Sequence, residues 1–128
     1  MEGVVHRYIR ALNDADLDAI VALYAEDAEV QDPVGTPPHR GHAAIRAFYA
    51  GSVALGLKVS LEGPVRACAD RAAFAFRVQL TWQGKSTTIC PIDIFRFNDA
   101  GQIVQMQAIF GAANIAADSI PIDPAIKY

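Results

Sequence analysis

Asp93 interrupts an otherwise apolar run, Ile89-Cys90-Pro91-Ile92-Asp93-Ile94-Phe95-Arg96-Phe97, that reads as the most buried strand of the chain. An ionised carboxyl in hydrocarbon surroundings is so costly without a cation or several donors that the group takes up a proton instead. A neutral acid aimed into an apolar cavity can donate a hydrogen bond to a substrate oxygen that gains negative charge during reaction. Asp93 is therefore a candidate oxyanion donor that requires no metal. A salt bridge to Arg77 or Arg96 is the structural alternative, but strand parity turns both arginines to the opposite face. Two further polar groups accompany it. Tyr8 falls on the apolar side of a helical pattern, and Asp32 stands at a strand end before Pro33. Taken singly, each is an ordinary half-buried tyrosine and an ordinary turn residue.

The elements that hold these groups follow from periodicity. Val4, Val5, Tyr8, Ile9 and Leu12 recur at helical spacing, so Tyr8 points inward. Asn13-Asp14-Ala15-Asp16 ends that helix and offers an N-cap to a second, whose apolar face is Leu17, Ile20, Val21 and Tyr24. A short strand over Ala28–Asp32 leads into the loop Val34-Gly35-Thr36-Pro37-Pro38, where the prolines forbid helix or central strand. A third helix spans Gly41 to Ser52 with Ile45, Phe48 and Tyr49 inward, and sheet follows from Gly56.

In Phe74–Trp82, the residues Phe74, Phe76, Val78, Leu80 and Trp82 alternate with smaller or polar ones. Gln83-Gly84 makes a two-residue hairpin turn, which fixes the return strand from Lys85. With Trp82 opposite Lys85, Leu80 faces Thr87, Val78 faces Ile89, Phe76 faces Pro91 and Phe74 faces Asp93. Asp93 thus joins the aromatic face. A last strand, Gln102 to Phe110, places Val104, Met106, Ala108 and Phe110 together at period two. Helices first and an antiparallel meander afterwards predict an α+β domain, its helices packed on one face of a curved sheet around a pocket.

Composition narrows the possibilities. The 128 residues are the size of one domain, 1–128, and 52% hydrophobic content supports a single core. A net charge of -3 without a basic cluster gives no footing for nucleic acid. The first residues are too polar for a signal peptide and no apolar stretch is long enough for a bilayer, so the expectation is a cytoplasmic protein with no membrane partner. Cys68 and Cys90 lack CxxC spacing or a histidine pair, disfavouring zinc, and are expected to be reduced core residues. His6, His39 and His42 are expected at the surface.

Arg7-Tyr8, Val30-Gln31-Asp32-Pro33-Val34-Gly35, Phe48-Tyr49 and Pro91-Ile92-Asp93-Ile94-Phe95-Arg96-Phe97 resemble the bacterial Δ5-3-ketosteroid isomerases across nearly the whole chain. The resemblance implies the cone-shaped fold of nuclear transport factor 2, with three N-terminal helices on a curved, mainly antiparallel sheet. It also implies a homodimer, no cofactor, no metal and a small-molecule steroid substrate. By position, Asp32 resembles the family's general base, and Tyr8 and Asp93 its two donors to the steroid C3 oxygen. Tyr24 and Tyr49 match a supporting tyrosine chain. Phe48, Phe76, Val78, Leu80, Met106, Ala108 and Phe110 are the expected apolar lining for the steroid body. Three departures are Cys90 in place of an aliphatic or small residue, a short lead into the first helix, and Phe110 where some relatives carry tryptophan.

The implied activity is the isomerisation of 3-oxo-Δ5 to 3-oxo-Δ4 steroids. Its physical logic fits the residues: a base beside a Pro-rich loop remains ionised, whereas an acid in an apolar strand does not. A phenol stays protonated at neutral pH and donates beside it. A non-catalytic domain of the same fold that binds an apolar ligand or a protein is the alternative of another class. A hydratase or epoxide hydrolase is a second enzymatic alternative, disfavoured by the apolar alternation.

Overall fold

The computed structural model describes residues 1–117; residues 118–128, which the single expected domain includes, lie outside the described part. Three helices precede most of the sheet: α1 (Glu2–Asn13), α2 (Leu17–Ala22) and α3 (Gly41–Val53). Helix α1 buries Val4, Val5, Tyr8, Ala11 and Leu12, the stripe that its spacing predicts. Asp16 caps α2 by accepting the Ala19 amide at 3.1 Å. Asn13, at the end of α1, exchanges two hydrogen bonds with Val59 on β3 (Lys58–Leu61), donating to its carbonyl at 2.9 Å and accepting its amide at 2.7 Å. That clamp fixes the helix against the sheet.

The remaining strands are β1 (Tyr24–Gln31), β2 (His39–Arg40), β4 (Arg66–Cys68), β5 (Arg71–Trp82), β6 (Lys85–Ile89), β7 (Ile92–Phe97), β8 (Ile103–Ile109) and β9 (Ile115–Ala117). Their order is β2-β1-β8-β7-β5-β6-β9, with β3 and β4 also pairing β5. Strand β5 is the spine of this curved sheet. Its first half pairs β4 and β7, and its second half pairs β3 and β6. Gln83 and Gly84, both at positive φ, form the tight turn into β6, which pairs Trp82 with Lys85 and Val78 with Ile89 as expected.

Four expectations are corrected here. Tyr24 does not belong to the second helix, which ends at Ala22; it opens β1, although its side chain is fully buried as the helical spacing required. The run from Ile89 to Phe97 is broken at Cys90-Pro91 into β6 and β7, because proline supplies no amide for the ladder. Only one face of β7 is buried, through Asp93, Phe95 and Phe97, while Ile92 on the other face is 47% exposed. The sheet is mainly antiparallel as expected, with one parallel pair, β1 and β8, that local patterning cannot announce. Cys68 and Cys90 are exposed free thiols rather than core residues.

The core joins α1 to the inner face of the sheet through Tyr8, Phe74, Phe95 and Phe97. Tyr8 meets Phe95 edge-on with ring centroids 5.1 Å apart, and Phe74 meets Phe95 at the same separation. No helix among the described residues is long and apolar enough to cross a membrane.

Candidate active site

A cavity of about 650 Å³ opens between the helices and the concave face of the sheet. Tyr8 from α1, Asp32 beyond the end of β1, Tyr49 from α3 and Asp93 from β7 all line it. Apolar side chains make up most of the remaining wall, the environment expected for a largely hydrocarbon ligand.

Sheet register explains how the two acids come together. Gln31 lies beside Gln107 in the parallel β1–β8 pair, and the Val34 amide donates to the Ala108 carbonyl at 2.9 Å, which sets Asp32 alongside Ala108. On the other side of β8, Ala108 is the direct partner of Asp93. Asp32 and Asp93 thus flank a strand whose intervening side chain is a single methyl. Two strand spacings separate their backbones by roughly 10 Å, leaving a slot floored by Ala108.

Asp93 is 2% exposed, and its Oδ1 is buried without a hydrogen-bond partner among the described residues. Neither arginine reaches it: Arg77 approaches Glu62 at 3.8 Å and Arg96 approaches Gln105 at 3.5 Å, both away from the cavity. Burial, with the nearby Asp32 charge adding to it, pushes the Asp93 carboxyl well above the ordinary carboxylate range. Burial therefore favours the neutral acid, in a side chain that lines the cavity and whose Oδ1 finds no partner among the described residues. Asp32 is only partly buried, and that burial raises it to about 6. It is mostly ionised at neutral pH. Burial thus raises both acids, Asp93 being the more deeply buried of the two.

Three tyrosines form a continuous hydrogen-bonded chain. The hydroxyls of Tyr24 and Tyr49 are 2.6 Å apart, and those of Tyr49 and Tyr8 are 2.9 Å apart. All three rings are buried, and burial raises each phenol well above its usual value, with the neighbouring phenols and Asp93 adding to the effect. They are protonated donors throughout the neutral range. Tyr24 is not among the residues that line the cavity; its hydroxyl meets that of Tyr49, which does line it.

Among the expected lining residues, Phe48, Phe76, Val78, Leu80, Ala108 and Phe110 face the cavity. Met106 does not: it is fully buried in the core beneath the floor, because period two identifies a face but not how deep a side chain sits. The spacing also missed Leu12, Leu55, Leu57, Val59 and Ile115, which close the cavity from α1, the loop after α3, β3 and β9. No local signal in β9 marks Ile115 for that position. His39 and His42 are half-buried rather than fully at the surface: His39 packs against Phe48 with ring centroids 4.7 Å apart, and His42 Nε2 lies 2.8 Å from the Tyr24 carbonyl. No grouping of histidine, cysteine and carboxylate side chains among the described residues is arranged to hold a metal ion.

Residues 5–106 match the SnoaL-like domain, and the chain belongs to that family, as its helices on a mixed, mostly antiparallel curved sheet require. Within it, the chain is 42% identical over 116 residues to a steroid Delta-isomerase from Nocardioides simplex, an alignment that covers 90% of this chain and 93% of that one. The fold is also shared with the epoxide hydrolase/cyclase-like enzyme SalBIII of pyran ring formation in the polyether salinomycin. That structure superposes with a TM-score of 0.85 at 28% identity, covering 90% of this chain and 93% of the other.

Proposed function

We propose that the protein is a steroid Δ-isomerase that converts 3-oxo-Δ5 steroids into their conjugated 3-oxo-Δ4 isomers. The observation that carries this reading is the buried, unpartnered Asp93 oxygen facing a half-buried Asp32 across the Ala108 floor of an apolar cavity. Similarity to the Nocardioides simplex steroid Delta-isomerase over most of both chains supports it independently.

In the substrate, the C4 hydrogens lie between the C3 carbonyl and the C5–C6 double bond. Asp32 removes one of them, and the electron pair of that C–H bond forms the C3–C4 double bond of a dienolate, with negative charge on the C3 oxygen. Tyr8 and the neutral Asp93 donate hydrogen bonds to that oxygen. These bonds strengthen as charge develops, so they lower the barrier rather than merely hold the substrate. Asp32, now protonated, returns the proton to C6. The electrons shift back, the C3 carbonyl re-forms and the double bond rests between C4 and C5. One carboxyl serves as base and then as acid, and its rise to about 6 makes it a stronger base than an ordinary aspartate while leaving it ionised at pH 7. Tyr49 and Tyr24 position the Tyr8 hydroxyl. No cofactor takes part in this sequence of steps.

An epoxide hydrolase or cyclase chemistry, as the SalBIII name describes, calls for polar groups placed around a bound water or hydroxyl. Beyond the tyrosines and the two acids, the described cavity wall offers only the Ser52 and Thr87 hydroxyls, and each already bonds a backbone carbonyl.

The working unit is a homodimer. Ala75, Ile92 and Ile109 form a paired row on the outward face of the sheet, with Ile92 and Ile109 47% and 50% exposed. Such a row is suited to cover by a second copy. Two exposed free thiols are suited to a reducing, cytoplasmic setting.

The test is Asp32→Asn, assayed with 5-androstene-3,17-dione by the ultraviolet absorbance of the conjugated product. Turnover falls at least a thousandfold while binding of 4-androstene-3,17-dione persists, on the scale expected when both proton transfers lose their carrier. Turnover within tenfold of the parent protein removes Asp32 as the base. Absence of turnover in the parent protein removes the isomerase reading itself.

A further inference from the structure

Asp93 and Thr87 are the two buried polar side chains among the described non-tyrosine residues, and both line the same cavity. They lie against different halves of β5. Asp93 pairs with Phe74 and Thr87 pairs with Leu80, so the β5 contour between them is roughly 20 Å at the usual rise per strand residue. A fused four-ring nucleus spans about 10 Å from C3 to C17 at ordinary bond lengths. With its C3 oxygen at Tyr8 and Asp93, the nucleus covers only part of that contour, and the cavity wall continues along β5 through Leu80 and Trp82.

The remaining outer part is a built, apolar compartment. Leu55, Leu80, Trp82 and Ile115 form its walls, and the loop carrying Leu55 is locked to β5 by the Thr81 amide, which donates to the Leu55 carbonyl at 3.0 Å. Its two hydroxyls are turned to the backbone: Thr87 Oγ1 donates to the Lys85 carbonyl at 3.2 Å and Ser52 Oγ to the Phe48 carbonyl at 3.3 Å. Neither offers a free donor to a ligand carbonyl. Trp82 and Ile115 remain 53% and 42% exposed at the rim, apolar surface that a hydrocarbon chain would remove from water.

We infer that this outer compartment is a subsite for an apolar side chain at C17, so that the protein acts preferentially on 3-oxo-Δ5 steroids that carry an alkyl chain there rather than a 17-oxo group. The inference rests on the isomerase reading and specifies its substrate class. The charge-developing end and the selecting end of the cavity are then distinct. Tyr8, Asp32 and Asp93 act on rings A and B, and Leu55, Leu80, Trp82 and Ile115 select the far end.

The test compares kcat/KM for 5-cholesten-3-one, presented from cyclodextrin, with that for 5-androstene-3,17-dione, both followed by absorbance of the conjugated product. The alkyl-bearing substrate is favoured by about tenfold or more, which burial of only two methylenes suffices to give. Leu80→Asn, which places an amide in the compartment wall, lowers that ratio severalfold. The single tryptophan provides a readout separate from turnover. Binding of 4-cholesten-3-one shifts Trp82 emission to the blue, and binding of 4-androstene-3,17-dione leaves it unmoved. Turnover of both substrates with a ratio near or below one, or an emission shift identical for the two products, overturns the subsite and leaves the isomerase reading intact. Turnover of neither overturns the isomerase reading, whereas the emission comparison still tests the subsite.

Discussion

Replacing Asp93 by leucine separates its chemical contribution from its structural cost. The side chain is 2% exposed, one oxygen has no partner, and it borders open cavity volume into which a larger apolar side chain can extend. A buried polar atom left unsatisfied costs about 1–3 kcal/mol, so its removal is expected to stabilise the fold by about that amount, with overpacking limited by the space beside it. Loss of one preorganised donor to a developing oxyanion lowers kcat by about 10²–10³, equivalent to about 3–4 kcal/mol of barrier. The two effects have opposite signs, which a purely structural aspartate would not produce. Urea unfolding at pH 7 and the absorbance assay on the same preparation measure both. An Asp93→Leu protein that is less stable and retains turnover within threefold of the parent would refute the assignment of Asp93 as a neutral donor.

Four further outcomes are expected. Because burial raises Asp32 to about 6, kcat/KM falls tenfold per pH unit below that value and is level above it, as a pH–rate profile measures. The same shift acts on stability: the folded state holds this proton more tightly than the unfolded chain, so the contribution is complete below about pH 4 and lost as pH rises through 6. Urea midpoints at pH 5 and 7.5 report that loss against the other titrations when compared with Asp32→Asn. Tyr49→Phe leaves the Tyr24 hydroxyl without its partner and Tyr8 without its positioning contact. It lowers stability by about 1–3 kcal/mol and kcat by roughly tenfold, and a changed pH profile distinguishes the positioning role from simple destabilisation. Finally, Ile109→Glu introduces like charges at the centre of the outward sheet face and yields a monomer by sedimentation equilibrium at micromolar concentration; an unchanged dimer would locate the interface elsewhere.

The hairpin was legible because a two-residue turn leaves a single register. Counting back from Trp82 and Lys85 assigns Asp93 to Phe74, and that pairing holds even though the ladder breaks at Cys90-Pro91. The Phe76 amide still reaches the Pro91 carbonyl at 3.3 Å, so the break interrupts hydrogen bonding without shifting the alternation of faces. Tyr24 was legible as buried but not as strand, because Leu17, Ile20, Val21 and Tyr24 share helical spacing that runs past the end of α2. Met106 and Ala108 share one sheet face, and only tertiary packing decides that the first is core and the second a cavity floor. The contact that brings Asp32 to Asp93 was not legible at all. It depends on a parallel pairing between the first long strand and β8, for which the sequence carries no turn signal.

That pairing also sets a schedule for biosynthesis. The ribosome releases α1, α2 and β1 before β8, and β1 has no parallel neighbour until the segment around Gln107 has emerged. A nascent chain therefore carries Asp32 beside an unpaired strand edge until β8 emerges, and a premature stop before β8 leaves helices and a hairpin but no strand between the two acids. Closure over such a sequence separation is slow relative to helix or hairpin formation, so catalytic competence is among the last properties the newly made protein acquires.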